Sequence, residues 1–138
     1  MNDRFRFRAW DKKNKRMLYN IQGAYDGTCI EDKHGEDVEG CCESCFDSFI
    51  PEEWQGEDYQ YIVEQCTGLK DKNGKLIYEG DIVKVAQLST NLPVVYYQKF
   101  AMFELISNKY LVSLHGSDEN LEVIGNIHEN PELLEVEK

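Results

Sequence analysis

The strongest constraint on this fold is a series of short apolar stretches that keep a two-residue period and stop at turn-forming residues. Arg4-Phe5-Arg6-Phe7-Arg8-Ala9-Trp10 alternates without a break, with Phe5, Phe7 and Ala9 on one face and Arg4, Arg6, Arg8 and Trp10 on the other. Successive side chains of an extended chain point to opposite sides, so the pattern specifies a half-buried strand. Asp11-Lys12-Lys13-Asn14-Lys15 is a polar turn and Arg16-Met17-Leu18-Tyr19 restarts the extended run, which together predict a hairpin.

The same grammar returns from Tyr59 onward. Tyr59–Cys66 is rich in β-formers, and Asp71-Lys72-Asn73-Gly74-Lys75 holds an Asn-Gly pair suited to a tight turn with positive φ. Leu76–Tyr78, the turn Glu79-Gly80-Asp81 and Ile82–Val85 follow, with further strands expected at Val94–Gln98, Ala101–Ile106, Tyr110–Leu114 and Leu121–Ile127. Asn130 before Pro131 places a capping side chain ahead of a residue suited to a first helical turn. The expected class is mainly β: an antiparallel, barrel-like domain with an N-terminal hairpin and a short C-terminal helical turn.

Residues 22–58 break this rhythm. They hold four of the five cysteines and little sustained periodicity. They are expected to form a long acidic, cysteine-containing excursion from a single domain spanning 1–138, with short helices near Cys42–Phe49 and from Pro51. An apolar fraction of 41% in 138 residues is enough for one packed core.

Charge is unevenly placed. Residues 1–20 carry seven basic and two acidic side chains, residues 21–64 carry thirteen acidic ones against Lys33 alone, and residues 65–138 carry seven basic and eleven acidic; the net charge is −11. Phosphate binding depends on Lys and Arg displacing counterions, so most of this surface opposes nucleic acid. No apolar run approaches the roughly 18 residues of a membrane span. The absence of a leader pattern and the odd number of cysteines point to a cytoplasmic protein with reduced thiols.

Three groups of residues carry chemical potential. Cys42-Glu43-Ser44-Cys45 is a CxxC that supplies two ligands at a suitable bite for zinc, with Cys29, His34 and Cys66 as further donors. A second knuckle is missing, so reduced cysteines without a cofactor are the expectation and zinc the alternative. Arg4, Arg6, Arg8 and Trp10, extended by Lys12, Lys13 and Arg16, form a basic face that fits either carboxylates of this or a neighbouring chain or, as the alternative, nucleic acid. His34, His115 and His128 stand in no nucleophile context, and phosphate-loop, dinucleotide and zincin motifs are missing, so no catalytic residue is expected. Asp26, Glu31, Asp32, Glu36 and Asp37 lack the spacing of a calcium loop and read as a solvated face.

Phe5–Asp11 with Lys15-Arg16-Met17, the block Cys66–Val83 and the block Val123–Leu134 resemble the YopX-like family of bacteriophage and prophage proteins. The resemblance implies a mostly β homo-oligomer of phage or prophage origin in host cytoplasm. It implies no established activity, cofactor or catalytic residue. The excursion over 22–58 is not part of it. A non-enzymatic accessory protein acting through contacts with itself, or with a host or phage protein, is therefore the expected function.

Overall fold

The computed structural model describes residues 6–21, 30–36, 38, 61–86, 88, 90–98, 101–107, 111–114 and 120–134. The helices expected near Cys42–Phe49 and Pro51 lie outside these residues. The chain falls into two compact units, Met1–Gln65 and Cys66–Lys138. The described elements are antiparallel strands and a short 3-10 turn, with one sheet curled into half a barrel.

In the first unit, β1 (Phe7–Asp11) pairs with β2 (Arg16–Tyr19) as a hairpin and on its other side with the opening residues of β3 (Tyr61–Lys70). Ala9 stands between Leu18 and Val63 in this register. Ala9, Leu18, Ile21, Ile30 and Val38 form a core flanked by Phe7, Tyr61 and Val63. Two parts of the acidic excursion are thus drawn inward. Ile30 and Val38 are buried, and Glu31 bridges to Tyr19 through paired N–H···O bonds of 2.7 and 2.9 Å.

The alternation of β1 holds, but its consequence differs from expectation. From Arg8 to Asp11 every residue is buried, so the side bearing Arg8 and Trp10 is covered as well as the side bearing Ala9. A period-two pattern assigns residues to faces; it does not say that the polar-looking face meets water.

The second unit begins within β3. Cys66 pairs with Tyr78 of β4 (Leu76–Tyr78), and Lys70 pairs with Leu76, with a register shift between the two pairs. β3 therefore runs four residues past its expected end. Thr67 explains this. Its hydroxyl donates to the Ile77 carbonyl at 2.8 Å and accepts from the Leu69 N–H at 3.1 Å, while Gly68 takes φ +86° at the irregularity.

A five-stranded sheet follows, in the order β8-β7-β6-β5-β9. Its strands are β5 (Asp81–Val85), β6 (Thr90–Tyr97), β7 (Met102–Ile106), β8 (Leu111–Ser113) and β9 (Leu121–Asn126). Ile77, Val83, Val85, Leu92, Val94, Leu105, Leu114 and Leu121 make its core. β6 starts four residues before the expected Val94, and Pro93 sits inside it opposite Ile82. The expected C-terminal turn is the 3-10 turn Pro131–Leu134.

Candidate functional site

The residues that sequence reasoning singled out go to several places. Arg4, Cys29, Cys41, Cys42, Cys45 and His115 lie outside the described residues. His34 is exposed in a turn where Asp32 Oδ1 accepts the N–H of His34 at 2.8 Å and of Glu36 at 3.1 Å. These N–H groups, Glu36 first and His34 second, hold the Asp32 carboxyl below its ordinary value. Cys66 is a buried thiol in the second unit, its Sγ 3.4 Å from the Gly68 N–H. Among the described residues no three His, Cys, Asp or Glu side chains gather to hold a metal ion.

Arg8 is 2% exposed and lies between Tyr19 and Glu64, its register partners on β2 and β3. Its Nε donates to Glu64 Oε1 at 2.8 Å, and its guanidinium carbon stands 6.0 Å from the Tyr19 ring centre. Trp10 is buried between Met17 and Ile62. Arg8 and Trp10 are thus turned to the protein's own carboxylate and core rather than to a base or phosphate.

In the β1–β2 turn Lys12 is half-buried, while Lys13, Lys15 and Arg16 face outward. Buried Asp11 organises it, accepting the N–H groups of Lys13 (3.1 Å) and Asn14 (3.3 Å) on Oδ1 and the Asn14 amide on Oδ2 at 2.7 Å. Arg16 Nε lies 3.6 Å from the same Oδ2. Lys13 and Lys15 remain exposed, and Lys15 adopts φ +55°.

In the second unit, carboxylates and amides are committed to turns. Asp71 Oδ1 accepts from the N–H groups of Asn73 (2.9 Å) and Lys75 (3.0 Å), and its Oδ2 accepts from Val123 N–H at 2.9 Å. Lys72 N–H donates to Leu121 O at 2.9 Å. The β3–β4 turn thus takes up backbone groups along the outer edge of β9. The turn differs from the expected Asn-Gly form: Gly74, at φ +82°, has positive φ while Asn73 does not. Asp81 Oδ2 accepts from Tyr78 N–H at 2.8 Å across the turn where Gly80 takes φ +87°.

Asn126 Oδ1 accepts from His128 N–H (3.0 Å) and Glu129 N–H (2.9 Å), and Asn130 Oδ1 lies 3.3 Å from Asn126 N. The Asn130 side chain lies so close over Gly125 that a Cβ there would meet its Oδ1 at 2.5 Å. His128 therefore belongs to a structural turn through its backbone.

A family model described as YopX protein matches residues 6–135. The chain belongs to the YopX family. Among solved structures, protein EF1440 from Enterococcus faecalis is similar at 27% identity, with 94% of this chain and 96% of that chain covered and a TM-score of 0.54. Protein yopX from Bacillus subtilis is 22% identical over 97% of this chain and 99% of that chain, with a TM-score of 0.46. No curated protein matches. In this YopX-family chain the blocks that carry the resemblance, Cys66–Val83 and Val123–Leu134, are the hydrogen-bonded turns just described.

What sequence reasoning missed is an apolar surface on the second unit. Val95 (39% exposed) on β6 and Leu111 (55%) on β8 are large apolar residues open to solvent on the side of the sheet away from the core, and Tyr96 is exposed on the other side. Tyr96 meets Phe103 edge-on, with ring centres 5.3 Å apart. β8 ends the order of the five-stranded sheet on that side. The only signal was the polarity of Glu104 inside the otherwise apolar stretch Met102–Ile106. No helix among the described residues is long and apolar enough to cross a membrane.

Proposed function

We propose that this chain is a non-enzymatic accessory protein of a bacteriophage or prophage, working in host cytoplasm through protein–protein contacts as a homo-oligomer. One observation carries the reading: Val95 on β6 and Leu111 on β8 present large apolar side chains to solvent on the side of the sheet turned away from its core, and β8 is the last strand of that sheet. Burying apolar area is the main driving force of association, and a sheet margin offers backbone donors and acceptors for pairing.

The non-enzymatic part is supported by the fate of the polar groups. Asp11, Asp71, Asp81 and Asn126 spend their acceptors on backbone N–H groups of their own or neighbouring turns. A general acid or base must instead reach a substrate proton. Inward placement of Arg8 and Trp10 supports protein contacts over nucleic acid.

The test is sedimentation velocity of the full chain beside Leu111→Asp. The expected result is a wild-type mass at a multiple of the monomer and a shift of the variant toward monomer. An unchanged mass for a folded Leu111→Asp, or a monomeric wild type, refutes the reading.

A further inference from the structure

Glu104 on β7 is 4% exposed although it stands on the outward side of its sheet. Its neighbour Leu105 enters the core of the second unit, so strand alternation turns Glu104 away from that core. Its cross-strand partners are Val95 and Ser113, and Leu111, opposite Ile106, shares its side. Among the described residues no hydrogen bond or ion pair engages the Glu104 carboxylate, and no side-chain oxygen or nitrogen sealed from solvent lacks a partner. The carboxylate oxygens therefore hold the opening to solvent that the residue retains. A carboxylate stripped of most of its water and flanked by apolar side chains is costly until a cation meets it.

The β1–β2 turn supplies a cation of the right kind. Lys13 and Lys15 are exposed, and among the described residues no acid pairs with either. The acid of that turn, Asp11, is buried and holds the loop in one shape, so presenting these lysines costs little ordering entropy. A lysine stem lies readily along apolar surface while its ammonium reaches a charge beyond. Two copies of a chain with net charge −11 repel one another except where a cation of one meets an anion of the other.

We infer that Glu104, framed by Val95 and Leu111, receives the Lys13–Lys15 turn of a second copy. The contact rests on the self-association proposed above and specifies its chemistry. Such a contact is made twice, reciprocally, in a two-fold dimer, or once per copy in a ring.

Sedimentation velocity of Glu104→Gln, Glu104→Lys, the pair Lys13→Glu/Lys15→Glu, and the triple combination of Glu104→Lys with that pair tests the contact. Glu104→Gln and the lysine pair should each weaken association roughly tenfold or more, and Glu104→Lys further still. The triple variant, with both charges exchanged, should assemble as the wild type does. The lysine pair is exposed, so its result does not depend on Glu104 variants folding. An unchanged association constant for that pair, or a triple variant no better than Glu104→Lys alone, overturns the contact while leaving self-association standing. A monomeric wild type overturns both.

Discussion

Replacing Asp71 by Ala removes one carboxylate from three backbone N–H groups, those of Asn73, Lys75 and Val123. The first two sit on an exposed turn where water can replace the acceptor, at about 0.5–1 kcal/mol each. The Val123 N–H is part-buried along the β9 edge, and leaving it unsatisfied costs about 1–3 kcal/mol. The sum is roughly 2–5 kcal/mol, a large fraction of the ~5–15 kcal/mol that stabilises a typical domain. Urea unfolding followed by circular dichroism should show a lower midpoint at unchanged slope. Burial pushes the Asp71 carboxyl up, but the N–H groups of Val123, Lys75 and Asn73, aided by the Lys75 charge, outweigh it and hold the group below 3.8. A depressed folded value means that the stabilisation is fully present above 3.8 and is lost as pH falls through the lower folded value. The gap between wild type and Asp71→Ala should therefore be constant near neutrality and narrow in acid. A loss under about 1 kcal/mol, or a gap that persists undiminished in acid, would refute the account of Asp71 as the clamp of this edge.

Two further substitutions test the interior. Glu64→Ala strands the Arg8 guanidinium in a buried site and should cost about 3 kcal/mol or more in urea unfolding, whereas Arg8→Met with Glu64→Leu should cost less than the single change. A double variant as unstable as Glu64→Ala would count against that assignment. Gly125→Ala should cost roughly 1–3 kcal/mol because its Cβ would meet Asn130 Oδ1 at 2.5 Å and Cγ at 2.8 Å. Combining it with Asn130→Gly should cost less than the two losses added, and strict additivity would show that the contact is not the cause.

The hairpin and the later strands were legible because they depend on local patterning. Turn residues at Asp11–Lys15, Asp71–Lys75 and Glu79–Asp81 mark strand ends in the sequence as they do in the fold. The exceptions arise where a distant partner overrules a local signal. β3 continues through Gly68 because Thr67 bonds to Ile77 ten residues away, and β6 accepts Pro93 because neighbouring strands pair around it. Burial of Arg8 was illegible for the same reason: its counter-charge, Glu64, is 56 residues distant in sequence. Of the residues expected to make contacts, Lys13 meets solvent, whereas Arg8 and Trp10 do not. The polarity of Glu104 was visible inside Met102–Ile106, but its burial was not, since one acid in an apolar strand looks like an ordinary outward position.

The Asp71 turn, laid along β9, leaves the five-stranded sheet asymmetric. A sheet with two bare margins can recruit copies on both sides and grow into a fibre without limit. With the β9 margin taken up by the protein's own loop, strand addition has no second direction on that side. Sealing the β9 margin therefore protects this sheet from runaway polymerisation on that side.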